Sequence, residues 1–166
     1  MDYQLLMNTI DAQESVLRLD SFSNKEGLKI GLFLVDYAKK NNLTMAIAVR
    51  KTNGALVFQH LMDGTNPNNH NWMRRKFNTV CFWEHSSLRA FAHEKTTGET
   101  IYTHGFDEKE YIQCGGGFPL LLKSGEFVGV ITVSNLPHIL DHQFIIDALS
   151  EYLKVENVPS VSDFNV

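Results

Sequence analysis

The spacing of apolar positions predicts an amphipathic helix at each end of the chain. The N-terminal helix spans about three turns, and its repeating face consists of Leu5, Leu6, Thr9, Ile10 and Gln13. The C-terminal helix lies within LPHILDHQFIIDALSEYL, and its apolar face consists of Leu140, Phe144, Ala148 and Tyr152. Asn24 can cap a second helix, with an apolar stripe that includes Leu28, Val35 and Ala38. Each of these helices needs another layer against which to bury one face.

The alternating and apolar runs between these helices predict two β-hairpins. In TMAIAVRKTNGALVFQHLM, two β-rich runs flank Asn53-Gly54, a residue pair that favours a type I′ turn. In CGGGFPLLLKSGEFVGVITVSN, Ser124-Gly125 separates two more runs. The run FVGVITV is almost wholly apolar, so it is predicted to be a central strand that is covered on both faces. The fold class is therefore α/β (α+β), with an antiparallel sheet packed with helices.

A long helical region separates the two hairpins. It follows the loop MDGTNPNN, in which Asn66, Asn68 and Asn69 offer N-caps. It is predicted to break near His85-Ser86-Ser87, where a serine can cap a new helix.

Length and composition indicate one ordinary globular domain. At 166 residues, with 43% hydrophobic and 20% charged residues, the chain can bury a sizeable core without disulfides or a structural metal. We assign residues 1–166 to a single domain, with its core at about 15–153 and a loosely held tail at 154–166.

The charge and the apolar runs restrict the partners. A net charge of −4 argues against nucleic acid and anionic membranes, which favour basic surfaces. No run approaches the roughly 18 apolar residues of a membrane span, and MDYQLLMNTIDAQE is too acidic for a signal peptide. We therefore expect a cytoplasmic protein with Cys81 and Cys114 reduced. Neither cysteine lies in a CxxC, so no metal site is predicted.

The stretch NNHNWMRRK places three consecutive cations beside a tryptophan in this acidic chain. Helical geometry puts Trp72, Arg75, Lys76, Thr79 and Trp83 on one narrow stripe. The neighbouring stripe consists of Met73, Phe77, Val80 and Cys81, and it is the predicted core face. Arg74 points elsewhere and is predicted to be solvated.

Two interpretations of Trp72, Arg75 and Lys76 stay open. A guanidinium and an ammonium next to apolar rings can hold a carboxylate or a phosphate, and a nearby helix N-terminus adds to that field. Alternatively, the two cations pair with acidic groups of this or a neighbouring subunit, and the tryptophans pack an interface.

Three further features have both a functional and a structural interpretation. His85 can ligate a metal or haem, or it can form a structural hydrogen bond, beside a Ser86 or Ser87 that caps a helix. The glycines Gly115, Gly116 and Gly117 can form a pocket wall, or they can only allow a sharp backbone path. His142 follows His138 by four residues, a spacing that suits a metal, but no third ligand is evident.

The chain resembles the GlcG/HbpS-like superfamily, also called haem-degrading-domain-like, in its branch known as an uncharacterised protein family. The resemblance covers about residues 15–153 and is carried by LMDGTNPNNHNWMRRKFNTVCFWEHSS, CGGGFPLL and GVITVSNLPHILDH. It implies a profilin-like fold with a five-stranded antiparallel sheet, homo-oligomers, and haem as a cofactor of some relatives. Cys114 stands where the branch usually has a histidine, and Ser134-Asn135 stands where the superfamily tends to have Ser-Gly.

Three classes of function are compatible with these residues. The preferred class is a protein that binds a small molecule, either haem or another anionic cofactor or metabolite, through Trp72, Arg75, Lys76 and the three glycines. The second class is an oligomeric scaffold or adaptor that has no ligand. The third is an enzyme acting on a small anionic substrate through His85, His142 or Cys114, for which the sequence offers no complete catalytic set.

Overall fold

A computed structural model describes residues 2–164 and confirms the predicted order of helices and hairpins. The helices are α1 (Tyr3–Val16), α2 (Asn24–Lys40), α3 (Pro67–Trp83), α4 (Ser87–Thr97) and α5 (His138–Leu153). The strands are β1 (Ala46–Lys51), β2 (Leu56–Leu61), β3 (Gly117–Leu121) and β4 (Phe127–Ser134). A short 3₁₀ helix, Ile101–His104, lies between α4 and β3. Within the described residues, no helix combines the length and the apolar character that a membrane crossing requires.

The sheet is antiparallel throughout and has the strand order β2-β1-β4-β3. Strand β4 is central, as its apolar run predicts, and its last six residues are buried. The fifth strand that the resemblance implies is not confirmed in the part of the chain that is described. The segment after α1 meets the sheet edge only at Leu19, which forms a single parallel bridge to Leu122. One bridge does not extend into a ladder, so the sheet has four strands.

Helices cover both faces of the sheet. On one face, α2 and α5 bury a large cluster that includes Ile30, Leu34, Ile131 and Phe144. On the other face, α3 rests Met73 on the small side chains of Ala46 and Ala48. Small residues on β1 let this helix approach the sheet closely, and that approach brings the middle of α3 next to the end of β4.

Two apolar stripes differ in detail from the prediction. Leu28 of α2 is 46% exposed and Leu140 of α5 is 42% exposed. The face of α2 that meets the sheet contains Gly31 instead, because a Cβ at that position would lie 2.2 Å from the ring of Phe58. Helix α2 also starts one position earlier than predicted, since Ser23 rather than Asn24 caps it.

The C-terminal segment after α5 is packed against the rest of the chain. Val161 is fully buried, and its N–H donates to Gln143 Oε1 at 2.8 Å. Gln13 Nε2 of α1 donates to the carbonyl of Pro159 at 2.7 Å. Up to residue 164, this packing differs from the loosely held tail that the sequence predicts.

Candidate functional site

Helix α3 begins at a capping box beside the end of the sheet. Asn66 accepts a hydrogen bond from the N–H of Asn68, and the side chain of Asn69 accepts one from the N–H of Asn66. The Nδ2 of Asn69 also donates to Ser134 Oγ at 3.1 Å, which ties the first turn of α3 to β4. The asparagine-rich loop therefore fixes where the following turns of α3 lie.

Two turns further along α3, Lys76 forms a buried ion pair with Asp141 of α5. The Nζ of Lys76 lies 2.8 Å from Asp141 Oδ2 and 2.9 Å from the carbonyl oxygen of Val133. Both charged side chains are only 3% exposed. The other carboxylate oxygen of Asp141 accepts the N–H of Leu136 at 3.0 Å. An ammonium has three N–H groups, so one donor of Lys76 is left beyond its two protein acceptors.

Gly115 and Gly116 form a wall of backbone behind this ion pair, whereas Gly117 packs against Val80 and Ser87. A Cβ at Gly116 would lie 2.6 Å from Lys76 Nζ and 2.8 Å from the carbonyl oxygen of Val133, and its φ is +109°. A Cβ at Gly115 would lie 2.0 Å from the carbonyl oxygen of His138. Real Cβ atoms do not approach so closely, so glycine is required for close packing at these positions. Gly115 and Gly116 therefore provide tight backbone geometry directly against a charged group. None of the three glycines lines the cavity that the ion pair faces, so their role as a pocket wall stays a prediction.

The ion pair faces a cavity of about 430 Å³ between the N-terminal turns of α3 and α5. This volume falls within the range of about 300–1,000 Å³ that is typical of small-molecule pockets. Trp72 and Asn68 line the α3 side, Lys76 and Asp141 lie together in the wall, and Cys114 and His138 complete the lining. Trp72 and Lys76 are thus brought together as the sequence predicts.

Burial and charge set the protonation of the cavity groups. Burial raises the pKa of the Asp141 carboxyl above its ordinary value, and the Lys76 ammonium counteracts part of that rise. Burial also raises the pKa of the Cys114 thiol, so the thiol form is favoured at neutral pH. Burial and the charge of Lys76 lower the pKa of His138, which keeps this imidazole neutral.

The tautomer of His138 follows from its hydrogen bond. The N–H of Gly115 donates to His138 Nδ1 at 3.2 Å, so Nδ1 carries the lone pair. In a neutral imidazole the other nitrogen then carries the proton. His138 therefore offers an N–H donor at Nε2.

Arg75 lies outside the cavity and binds the chain itself. Its Nε and Nη2 donate to the carbonyl oxygen of Glu108 at 3.1 and 2.7 Å, and Nη2 also reaches the carbonyl oxygen of Tyr111. Its guanidinium lies 5.0 Å from the centre of the Trp72 ring. Neighbouring positions of α3 act in the same way, since Asn78 binds the carbonyl oxygen of Glu110. We call this set of bonds to residues 108–112 the loop clamp.

Arg74 and Thr79 complete the loop clamp. Arg74 pairs with the carboxylate of Glu110 and donates to the carbonyl oxygen of Lys109 at 3.0 Å. Thr79 exchanges two hydrogen bonds with Ile112, at 2.9 and 3.0 Å. The clamped segment leads directly into Cys114 and the glycines, so the clamp positions the wall of the cavity. The three consecutive cations of α3 thus divide their roles: two hold a loop, and Lys76 enters the buried ion pair.

Replacing Arg75 with alanine tests the loop clamp. We expect faster amide hydrogen exchange across residues 107–113 and a loss of roughly 1–3 kcal/mol in the free energy of unfolding, because charged donors to three carbonyl contacts disappear. Lys40→Ala is the control, with a loss of at most about 1 kcal/mol and unchanged exchange across residues 107–113, since its ion pair with Glu151 is on the surface and outside the clamp. A smaller particle mass by light scattering, with unchanged exchange, would instead place Arg75 in a subunit contact.

The other predicted residues lie away from the cavity. The Nδ1 of His85 lies 2.6 Å from Glu14 Oε2 of α1, and Ser86 caps α4, which confirms the predicted serine cap. His142 is fully buried, with Nε2 2.8 Å from Gln13 Oε1, and burial lowers its pKa to about 3. His142 is therefore a neutral core residue rather than a partner of His138 in a ligand pair.

Trp83 does not share the surroundings of Trp72, although helical spacing puts both on one stripe. The Trp83 ring packs at 4.9 Å from Phe82 and 5.3 Å from His93, and its indole N–H is buried without a partner. The stripe predicted from the sequence therefore ends in an aromatic cluster at the C-terminus of α3.

The sequence did not identify Asp141 and His138 as members of this site. Asp141 lies 65 positions from Lys76, and local spacing suggests only a role at the start of α5. The sequence did contain one usable signal. Lys76 borders the predicted core face of α3 and Asp141 lies in the largely apolar α5, and a buried charge requires a partner.

The chain matches a protein-family model and is similar in sequence to UPF0303 proteins. The model of a family described as "Haem degrading protein HbpS-like" matches residues 22–150. A UPF0303 protein of Paraburkholderia xenovorans is 36% identical over 154 residues, which cover 92% of this chain and 93% of the relative. A UPF0303 protein of Psychromonas ingrahamii is 34% identical over 155 residues, which cover 93% and 97% of the two chains.

Solved structures show the same fold at lower sequence identity. The crystal structure of the Ybr137w protein superposes with a TM-score of 0.78 at 21% identity and covers 89% of this chain and 87% of that one. The structure of a PduOC:heme complex superposes with a TM-score of 0.63 at 16% identity and covers 86% and 98%. At such identities the likeness concerns the fold alone.

Proposed function

The chain belongs to the HbpS-like family of haem-degrading proteins, and from this premise and its own cavity we propose that it binds a small anionic molecule between α3 and α5. The observation that carries the proposal is the Lys76 ammonium. It is 3% exposed, it lines a cavity of about 430 Å³, and it retains a donor beyond its two protein acceptors. A buried donor of this kind is suited to a ligand oxygen.

The electrostatics of the cavity favour an anion of low charge. Asp141 offsets the charge of Lys76, so the pair alone is close to neutral. The N-terminal turns of α3 and α5 both border the cavity, and each helix N-terminus carries roughly half a positive charge. Helix α5 has no side-chain cap, and Leu140 already donates its N–H to the carbonyl oxygen of Pro137, so the N–H groups of His138 and Ile139 are the ones available to a ligand. A single carboxylate or a phosphate oxygen matches this arrangement.

Haem does not fit the donor set of this cavity. Haem iron in proteins is held by a histidine nitrogen, a thiolate, a methionine sulfur or a tyrosine oxygen. Here His138 Nδ1 already accepts the Gly115 N–H, and Nε2 carries the proton. Burial keeps Cys114 in its thiol form by raising its pKa. The haem complex of PduOC therefore supports ligand binding by this fold more than it supports haem as the ligand of this chain.

The other functional predictions concern assembly and location, which the structure of a single chain does not determine. The homo-oligomer that the family resemblance implies and the cytoplasmic location expected from the sequence stay predictions. The version of the scaffold hypothesis in which Arg75 forms the subunit contact loses its basis, because the guanidinium is occupied by Glu108 and Tyr111 of the same chain.

Ligand binding can be tested by blocking the mouth of the cavity. Asn68 lies in the first turn of α3, is exposed and lines the cavity, whereas Asn71 is exposed on the same helix and does not line it. We expect acetate, lactate, pyruvate or inorganic phosphate to raise the melting temperature of the wild type and of Asn71→Trp. Asn68→Trp should lose this response, because the indole fills the entrance. A ligand at 100 times its Kd stabilises the folded state by about 2.7 kcal/mol, which a thermal shift assay resolves.

Two results would contradict the proposal. One is the absence of any response to the four anions in the wild type. The other is an equal response in Asn68→Trp, which would place the binding site elsewhere. A haem titration of the same three proteins provides the parallel check, and a saturable Soret change that Asn68→Trp abolishes would restore haem as the ligand.

A further inference from the structure

We propose that Lys76 binds small 2-oxo acids covalently, by forming a reversible Schiff base between its Nζ and the carbonyl carbon of the ligand. The inference rests on the proposed function, because it assigns a ligand class and a reaction to the same cavity. It starts from an amine that is buried, held in one position and placed at the wall of a cavity that can contain a small molecule.

The surroundings of Lys76 supply what an amine needs in order to become a nucleophile. A lysine ammonium must lose a proton before it can attack a carbonyl. Asp141 Oδ2 lies 2.8 Å from Nζ and is in position to accept that proton. Burial favours the protonated form of Asp141, since it raises the pKa of this carboxyl. Desolvation destabilises two charged groups relative to their neutral forms. Transfer of a proton from the Lys76 ammonium to the Asp141 carboxylate therefore costs less free energy here than in water.

The wall of the cavity holds the amine in place. The carbonyl oxygen of Val133 accepts a hydrogen bond from Nζ at 2.9 Å, and Gly116 leaves the space that Nζ occupies. A lysine normally has a flexible stem with high rotamer entropy. Holding the amine against β4 and the glycine wall removes much of that freedom before a ligand arrives, which favours attack on a bound carbonyl.

The rest of the cavity selects a carboxylate next to the carbonyl. The uncapped N-terminus of α5 offers backbone N–H groups, and His138 offers the Nε2 proton, so both can donate to a carboxylate. His138 and Asp141 lie three residues apart on α5, so a carboxylate bound at the helix N-terminus would bring an adjacent carbonyl towards Lys76. Trp72 lies one turn before Lys76 on α3, lines the same cavity and suits the short apolar part of such a ligand.

The reaction balances without any further reactant. Asp141 takes a proton from the Lys76 ammonium, and the free amine attacks the ketone carbon. A proton then moves from the attacking nitrogen to the former carbonyl oxygen, which gives a neutral carbinolamine. Asp141 then returns the proton to the hydroxyl group, which leaves as water. The products are a protonated imine that links Nζ to the ligand carbon and one water molecule. No oxidant or reductant takes part, and hydrolysis reverses the step.

Reductive trapping tests this inference. One sample of the purified protein is incubated with pyruvate and sodium cyanoborohydride. A second sample is incubated with lactate and sodium cyanoborohydride, because lactate has the same carboxylate but no ketone carbonyl. We expect intact mass spectrometry to show one reduced adduct per chain with pyruvate and none with lactate. Peptide mapping should place the adduct on Lys76, and exposed lysines such as Lys123, which is 69% exposed, should react at least tenfold more slowly.

Two variants make the test specific. Lys76→Arg keeps a cation at the site but cannot form the imine, so the adduct should disappear. Asp141→Asn removes the proton acceptor, so the rate of trapping should fall at least tenfold while the slow background at Lys123 stays the same. Circular dichroism and the melting temperature establish that each variant is folded when it is assayed.

The outcomes separate this inference from the proposed function. Adduct formation at Lys76 that is saturable in pyruvate supports both. If pyruvate raises the melting temperature but leaves Lys76 unmodified, or if trapping follows lysine exposure, the Schiff base is overturned and anion binding in the cavity stands. If pyruvate, lactate, acetate and inorganic phosphate all have no effect on the wild type, both are overturned.

Discussion

Replacing Lys76 with methionine is expected to reduce the free energy of unfolding by roughly 3–5 kcal/mol, because it leaves the Asp141 carboxylate buried without its cation. Methionine keeps most of the length and the apolar stem of lysine, so packing changes little. The backbone N–H groups of Leu136 and Asn135 still donate to Asp141, but neutral backbone donors do not replace an ammonium beside a group that is 3% exposed. Urea denaturation followed by circular dichroism measures the change.

The double variant Lys76→Met with Asp141→Asn distinguishes an ion pair from simple loss of packing. The double variant should lose about 2–3 kcal/mol less unfolding free energy than the sum of the losses in the two single variants. Asparagine retains an oxygen that can accept the Leu136 N–H. Strict additivity of the two losses would mean that the two groups are not coupled, and the ion pair could not then be the structural centre of the site.

Gly116→Ala is the second substitution with a large expected effect. Its φ of +109° is unfavourable for alanine, and its Cβ would lie 2.6 Å from Lys76 Nζ and 2.8 Å from the carbonyl oxygen of Val133. Backbone strain and overpacking together should cost about 3 kcal/mol or more. Ligand-induced stabilisation should also vanish, because Lys76 has to leave its position. Thermal melts with and without pyruvate report both effects.

Gly98→Ala is the matched control for this substitution. Gly98 also has a positive φ, of +79°, but a Cβ there would meet no atom within 4 Å. Its expected cost is therefore the backbone strain alone, about 1–2 kcal/mol, and its response to pyruvate should equal that of the wild type. Equal losses in Gly116→Ala and Gly98→Ala would contradict the close packing of the glycine wall around Lys76.

The sequence predicted the elements of the fold because their signals are local. The Asn53-Gly54 turn, the apolar run of β4 and the asparagine N-cap of α3 each depend on a few neighbouring residues, and the structure contains a β1–β2 turn, a central β4 and a cap at Asn66. The predicted turn type is wrong, because type I′ needs a positive φ at both central residues and only Gly54, with a φ of +89°, has one. The segment VLRLDSF, residues 16–22, shows the limit of local signals. Its alternating pattern suits a short extended segment, but whether such a segment forms a ladder depends on its position at the sheet edge, where only Leu19 reaches a partner.

Part of the candidate site could also be predicted from the sequence, because part of its geometry depends on local signals. Helical spacing separated Arg74 from Lys76 correctly, because 100° per residue is a local property of α3. It could not show that Arg75 faces a loop from residues 108–112 instead of a ligand, since that loop is distant in sequence and has no regular structure. The pairing of Lys76 with Asp141 joins α3 to α5 and depends on the tertiary fold.

A chain with two tryptophans allows the most direct test of a ligand cavity between α3 and α5. Trp72 lines the cavity, whereas Trp83 lies in the aromatic cluster at the other end of α3. In ¹H–¹⁵N spectra of the wild type titrated with lactate, the indole signal of Trp72 and the amide signal of Gly116 should shift and saturate, and the indole signal of Trp83 should stay in place. A spectrum in which neither Trp72 nor Gly116 moves, or in which only Trp83 moves, would contradict anion binding at this site.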